Sequence, residues 1–473
     1  MTRVAVGVSV ASAAILTLVT AALYRTGPAD APATGVALIP FDALQAHTLE
    51  LTLPDSQVVA ARRIGASLDW WITIDPAGGA PRRAWPASEP TIRAALRVLD
   101  DLAIESESGA ATLDTPAATV RIATDDDEFT ARLGEGALAG RADVEITDES
   151  GAPRVVSVSS SLHDLLLRPG PAGWREPSGF PSLAGPGATD VSRIELRTAD
   201  RALLFTRIEG RWFLFPNADQ TTPALPADRD TIDRLLTTVA GARVTRFIDE
   251  PTDDTGLAEP TAVLTLESTQ RLPSGERQVR ARTLSIGLAA NLGATAVYAS
   301  LEDSLAQALA ADALPIEPQV VAVEAGGLAG LSLAPESYLD PIALRAPVDD
   351  VGELIISDTE GNPTLHATRT LEGWRLGERD ALTLPTPQEL GAINTILSLL
   401  ATTQAEPILE DDATFSPVAT IEIRTIGGAP MGAYVFGLGP AADADTRPVI
   451  TAQRVAYLYP PSSADQFLAW LGG

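Results

Sequence analysis

The chain has 473 residues, 45% of them hydrophobic, with 62 acidic residues against 34 basic ones and a net charge of -28. A surface of that sign repels nucleic acid and anionic lipid headgroups, which argues against both as partners. There is no Cys, and every one of the 34 basic residues is Arg. Disulfides, thiolate metal sites, iron–sulfur clusters, a cysteine nucleophile, a Schiff-base lysine and a P-loop lysine are thereby excluded.

The length suggests about three domains on a prior of roughly 150 residues each. At the N-terminus, Val4–Leu23 is an uncharged apolar run preceded by Arg3 and closed by Tyr24-Arg25. Such a run is long enough to cross roughly 30 Å of hydrocarbon as a helix, whereas a cleaved signal peptide has an apolar centre of about 7 to 15 residues. The expectation is an uncleaved single-pass anchor over residues 1–25 in a bacterial inner (cytoplasmic) membrane, with the bulk of the chain facing the periplasm or exterior. Residues 26–37, rich in Pro, Ala and Gly, read as a tether.

From Leu38 onward the sequence passes three times through one plan. The expected modules are residues 38–175, 176–335 and 336–473. In the middle module two alternating strands, Val191–Asp200 and Arg201–Gly210, precede the short strand that holds Trp212. The outer modules place Trp71 and Trp374 at the corresponding point. Each module then reaches an amphipathic helix introduced by Pro86, Pro226 or Pro385. Ser88 precedes Ile92, Leu96, Leu99 and Leu102; Asp228 precedes Ile232, Leu235, Leu236 and Val239. In the last module Leu390, Ile393, Leu397 and Leu400 trace the stripe, and Thr386 with Glu389 has capping-box spacing.

A second proline follows each helix-leading proline by 30, 34 and 32 residues, at Pro116, Pro260 and Pro417, and opens an alternating strand. The next strand ends at Gly134, Gly287 or Gly437, and a third strand, with Tyr298 in the middle module, runs toward a closing helix. The expected fold class is α+β: a transmembrane helix followed by three modules of strands-helix-strands-helix, with helices on one face of an antiparallel sheet.

This order resembles the bacterial family catalogued as domain of unknown function 4340. The residues that carry the resemblance are Trp212, Pro226, Asp228, Gly256, Leu257, Pro260, Gly287 and Tyr298, best matched over residues 191–314. Thr255 stands where an aromatic often precedes the Gly-Leu pair, and the outer modules replace that glycine with Thr112 and Thr414. The resemblance implies an N-terminal membrane helix and an auxiliary role beside ABC-type transporter subunits of the gliding-motility kind. It implies no catalytic residue.

Candidate chemistry is sparse. His47, His163 and His366 fall one per module at non-equivalent places, so a shared metal site would need three modules to converge. Ser161-Leu162-His163-Asp164 contains triad residue types but no Gly-x-Ser-x-Gly elbow, and reads as a polar helix start. Asp125-Asp126-Asp127-Glu128 lacks the alternating ligands and central glycine of a calcium loop. Asp253-Asp254 and Glu410-Asp411-Asp412 read as similar surface loops, Gly134-x-Gly136 and Gly437-x-Gly439 as turns, and Gly326, Gly327 and Gly330 as part of a connection. The recurring tryptophans suggest core packing more than stacking on sugars. No catalytic, cofactor-binding or metal-binding residue is assigned. The expected function is a non-catalytic, membrane-anchored repeat protein that holds protein partners, transporter subunits among them. The alternative is a cell-envelope hydrolase or glycan-binding protein.

Overall fold

The computed structural model describes residues 36–471, except 65–68, 76–81, 108–111, 135–139, 148–150, 168–169, 179–190, 219–222, 250–252, 272–276, 305–315, 329–330, 332–333, 378–381, 411–414 and 440–447. The first copy of the plan runs β1 (Thr48–Thr52), β2 (Val58–Ile64), β3 (Asp69–Asp75), β4 (Arg82–Pro86), α1 (Glu89–Asp100), β5 (Ser106–Glu107), β6 (Pro116–Ala123), β7 (Glu128–Gly134), β8 (Arg141–Thr147), β9 (Pro153–Ser159) and α2 (Ser161–Leu166). The second runs β10 (Val191–Arg197), β11 (Ala202–Ile208), β12 (Arg211–Phe215), β13 (Leu225–Pro226), α3 (Arg229–Gly241), β14 (Val244–Ile248), β15 (Ala262–Arg271), β16 (Arg277–Ala289), β17 (Ala296–Asp303) and β18 (Ile316–Glu324). The third runs β19 (Val351–Ser357), β20 (Pro363–Thr370), β21 (Gly373–Leu376), α4 (Pro387–Ala401), β22 (Glu406–Leu409), β23 (Ser416–Thr425), β24 (Pro430–Leu438), β25 (Pro448–Ala452), β26 (Val455–Leu458) and α5 (Asp465–Leu471).

The chain divides into two compact units. One holds the described residues of Met1–Arg63, Ile74–Ala80 and Ser88–Trp174; the other holds Ile64–Thr73, Pro81–Ala87 and Arg175–Gly473. In the first unit the strands pair in the order β2-β1-β6-β7-β8-β9-β5. In the second unit one run of pairing is β13-β12-β11-β10-β15-β16-β17-β18-β14. The other is β21-β20-β19-β23-β24-β25-β26-β22. All these pairings are antiparallel, and the order is the same in each copy. In the second and third copies the long helix therefore leaves one edge of its sheet, and in all three copies the strand after the helix (β5, β14 or β22) pairs at the far edge beyond the last hairpin. β4 adds to the second sheet by a parallel register of Arg82–Ala84 with Ile316–Pro318.

These features correct the expected fold class. Among the described residues strand accounts for 50% and helix for 22%, so the described structure is mostly β. Each sheet closes with a hairpin, β8–β9, β17–β18 or β25–β26, where the sequence reading allowed one strand. The segment around Gly326 follows β18 as a single helical turn at Ala325–Leu328, on the way to β19. The closing helices shrink to the six residues of α2 and the seven of α5. In the second copy the stretch expected as a closing helix is strand through Asp303, and 305–315 lies outside the described residues.

The expected single-pass location in the inner membrane is corrected as well. Among the described residues no helix is long and apolar enough to cross a membrane. The longest, α4, has 15 residues, a rise of about 22 Å against roughly 30 Å of hydrocarbon. The Val4–Leu23 run and its tether lie outside the described residues.

Local chemistry explains the helices. Asp228 caps α3 by accepting from the Thr231 amide at 3.1 Å, and Thr386 and Glu389 form a reciprocal capping box on α4. Ser88 leads α1 without a side-chain bond to the backbone. Ile92, Leu96 and Leu99 are buried on α1, and Ile232, Leu235, Leu236 and Val239 on α3. On α4 the buried face is Ile393, Ile396, Leu397 and Leu400, and Leu390 turns outward at 39% exposure, against expectation. Each fully buried side chain of this size contributes about 1.5–3 kcal/mol. In the second unit these faces belong to one apolar core that runs from Val191 to Phe467.

The glycines that end β7 and punctuate β16 and β24 share a steric task. The loop entering the neighbouring strand lies across each one. A Cβ on Gly287 would strike the Thr255 carbonyl oxygen and one on Gly437 the Phe415 ring, whereas one on Gly134 would meet the Asp143 carbonyl oxygen at a tight 3.0 Å and Leu113 only at an ordinary 3.5 Å. Gly256 adopts φ +71°, the left-handed region open to glycine, and so lets Thr255-Gly256-Leu257 make this approach.

Candidate functional site

Two short segments tie the copies together. Trp174-Arg175-Glu176-Pro177 and Tyr338-Leu339-Asp340-Pro341 share the order aromatic-x-acid-Pro. The second lies antiparallel to the residues before α3. The Asp228 amide donates to the Tyr338 carbonyl at 2.8 Å, the Asp340 amide donates to the Pro226 carbonyl at 3.1 Å, and Ala227 bridges Leu339. The first segment makes the same bonds: Ser88 N to Trp174 O at 2.8 Å, Glu176 N to Pro86 O at 2.9 Å, and a bridge of Ala87 with Arg175. Both end on a proline whose carbonyl accepts from the chain after the next helix, Pro177 from Val244 at 2.7 Å and Pro341 from Ala405 at 3.0 Å. Proline suits this place because it has no amide of its own to satisfy. Aromatic anchoring completes the junctions: Tyr338 meets Phe205 edge-on at 4.9 Å, and Trp174 is 1% exposed.

The corresponding stretch of the third copy is Leu384-Pro385-Thr386, and it is uncovered. Leu384 makes no backbone hydrogen bond among the described residues. The Thr386 amide, whose counterparts bind a linker carbonyl, donates to the Glu389 carboxylate at 2.7 Å. Leu384 is 73% exposed, with Leu382 and Leu390 also exposed nearby, whereas Ile92 and Ile232, which match Leu390 in helix position, are fully buried.

A cleft of about 610 Å³ opens between the second and third copies, inside the second unit. Its base is the linker that follows Pro341, held by Arg345. The Arg345 guanidinium Nε donates to both Asp340 oxygens at 3.0 and 2.7 Å, and Nη2 approaches Asp228 at 3.5 Å. The hydrogen bond to Asp340 holds Arg345 above its ordinary pKa against the opposing effect of burial. Trp212 and Phe213 form one wall, and Met431, Tyr434 and Tyr457 the other. Burial pushes the Tyr434 phenol up to about 12 and the Tyr457 phenol higher still. Among the described residues no His, Ser or Thr lines this space, and the residues that line it offer donors and apolar surface.

The residues singled out in the sequence lie elsewhere or serve packing. Trp212 is 5% exposed in the core, and its carbonyl accepts from Ala227 at 3.0 Å. In the first copy Trp70, not Trp71, makes the matching bond, to Ala87 at 2.9 Å. Trp71 instead lies 5.9 Å from the buried Arg280, which pairs with buried Asp303 at 2.9 Å. Trp374 is half-buried under Arg369 at 5.8 Å. His163 Nε2 bonds the Gly134 carbonyl at 2.8 Å, His47 sits beside Thr48 at 3.0 Å, and His366 lies within β20. The Ser161 hydroxyl meets that of Ser159 at 3.0 Å. The run Asp125–Glu128 is an exposed turn closed by the Thr124 amide on Asp127. Asp411, Asp412, Gly136 and Gly330 lie outside the described residues. Among the described residues no group of three or more metal-ligating side chains converges. The linker motif could have been found in the sequence as Trp-Arg-Glu-Pro and Tyr-Leu-Asp-Pro, each ahead of a strand meander. The chain matches no protein-family model, no curated protein and no solved structure.

Proposed function

We propose that this protein is a non-catalytic repeat scaffold that holds partner proteins, with subunits of an ABC-type transporter as the partner class implied by its family resemblance. The observation that carries the reading is the uncovered edge before α4. Two copies spend the equivalent edge on an extended linker, through backbone bonds and an aromatic anchor, a mode of recognition that extended segments of other proteins use on exposed sheet edges. The third copy leaves Leu382, Leu384 and Leu390, close together in the sequence, to solvent, and exposed leucines at an edge that the other copies cover suit an interaction surface.

The reading is tested by placing a photo-crosslinking residue at Leu384 of the full chain in its host cells, and in parallel at Leu292, an exposed leucine on a different turn. Transporter subunits are expected in adducts from position 384 and not from 292. Adducts that are the same at both positions, or none at 384, overturn the proposal.

A further inference from the structure

We infer that the cleft between the second and third copies is a binding site for an uncharged apolar ligand that presents carbonyl oxygens, the chemistry of a peptide group flanked by apolar side chains. This goes beyond the scaffold reading and does not depend on it. Tyr434 and Tyr457 are 5% and 1% exposed, both line the cleft, and neither hydroxyl has a hydrogen-bond partner among the described residues. Their rings are buried while their hydroxyls are open to solvent in the cleft, so two donors on one cavity wall are free to exchange water for a ligand acceptor. Gly432 makes room for one of them, because a Cβ there would collide with the Tyr434 phenol.

Charge selects the kind of acceptor. The lining holds Arg211, Arg229 and Arg345 against Asp230 and Asp340, and Asp228 on Arg345 supplies a third carboxylate, so three positive groups meet three negative ones. Arg345 is already spent on Asp340 and Asp228, and Arg229 on Asp233 at 3.4 Å. A ligand with a full charge would face an opposing group of like sign. A neutral carbonyl gains from the phenols without that conflict, while Trp212 and Met431 receive the apolar body. The volume of about 610 Å³ falls in the range of small-ligand sites, roughly 300–1,000 Å³.

The test is calorimetric titration of the full chain with four probes: the blocked peptide acetyl-Ala-Leu-Phe-Ala-amide, 4-phenyl-2-butanone, 4-phenylbutyrate and butylbenzene. The peptide or the ketone is expected to bind, and which one does separates a peptide source from a small-molecule source. The carboxylate is expected to bind more weakly than the ketone. The double variant Tyr434→Phe with Tyr457→Phe should weaken the carbonyl probes about tenfold or more and leave butylbenzene unchanged. If the double variant does not fold, Tyr434→Phe alone carries the comparison. The inference is overturned if neither carbonyl probe binds, if the carboxylate binds tighter than the ketone, or if the phenylalanine variant binds the carbonyl probes as well as the parent does.

Discussion

Glu176 and Asp340 hold the same place in the two linkers and meet burial differently. Each accepts an amide two residues on, Ser178 at 3.3 Å and Ile342 at 2.9 Å, but the fork of Arg345 falls on Asp340 alone. Desolvation accordingly pushes the Glu176 carboxyl above its ordinary pKa. A carboxyl raised in the folded state favours folding below its unfolded pKa and loses that contribution as pH climbs through the folded value. Glu176→Gln, which keeps the acceptor oxygen, is therefore expected to melt higher than the parent at pH 7. The gap should close as pH falls into the ordinary carboxylate range. Thermal melts across that range check it, and a variant less stable at neutral pH would refute the assignment. None of this was visible in the sequence, because Glu176 acquires its surroundings from residues far along the chain. Asp228 was legible as a cap because its partner is three residues away.

At the scale of elements, the caps predict different costs. Asp228→Ala removes the bonds to the Thr231 amide and hydroxyl, at 3.1 and 2.7 Å, and should cost about 1–2 kcal/mol. Ser88→Ala removes no side-chain bond to the backbone and should cost a few tenths. Denaturant melts of both variants decide it; equal losses would contradict the capping geometry. The three long helices were readable because a stripe at helical spacing and a cap are local signals. The strands β5, β14 and β22 were not. They hold two, five and four residues without alternation, and their partners β9, β18 and β26 lie about 50 to 75 residues away. Leu390 misled for a related reason: its periodicity matches the stripe, but the cover that buries its counterparts Ile92 and Ile232 is missing over this copy.

At the scale of the molecule, the core of the second unit runs unbroken through two sheets, from the strands around Trp212 to Phe467 on α5. Trp212→Ala and Phe467→Ala, each expected to cost about 3–5 kcal/mol, should then lower the same unfolding transition although they sit in different copies. Leu96→Ala, in the first unit, should cost about 2–5 kcal/mol and lower a separate transition. Scanning calorimetry of the full chain reads this directly. Three variants that shift one common transition would show that the units do not melt apart. The assignment of Trp70, Trp71 and Trp85 to the second unit was hidden, since it depends on strands that the chain has yet to reach.

That assignment sets a timetable for the ribosome. The register that seats Arg82 beside Ile316 joins positions 234 residues apart. At about 5–20 residues per second, some 10 to 50 seconds pass between the emergence of β4 and that of its partner. Phe247, which meets Trp85 edge-on at 5.6 Å, and Arg280, which faces Trp71, also arrive late. A nascent chain that has reached Trp174 can assemble the first sheet while these tryptophans still wait for their cover. The early part of this protein is thus born with an adhesive hairpin, and its safe passage depends on finishing the second sheet before another chain finds it.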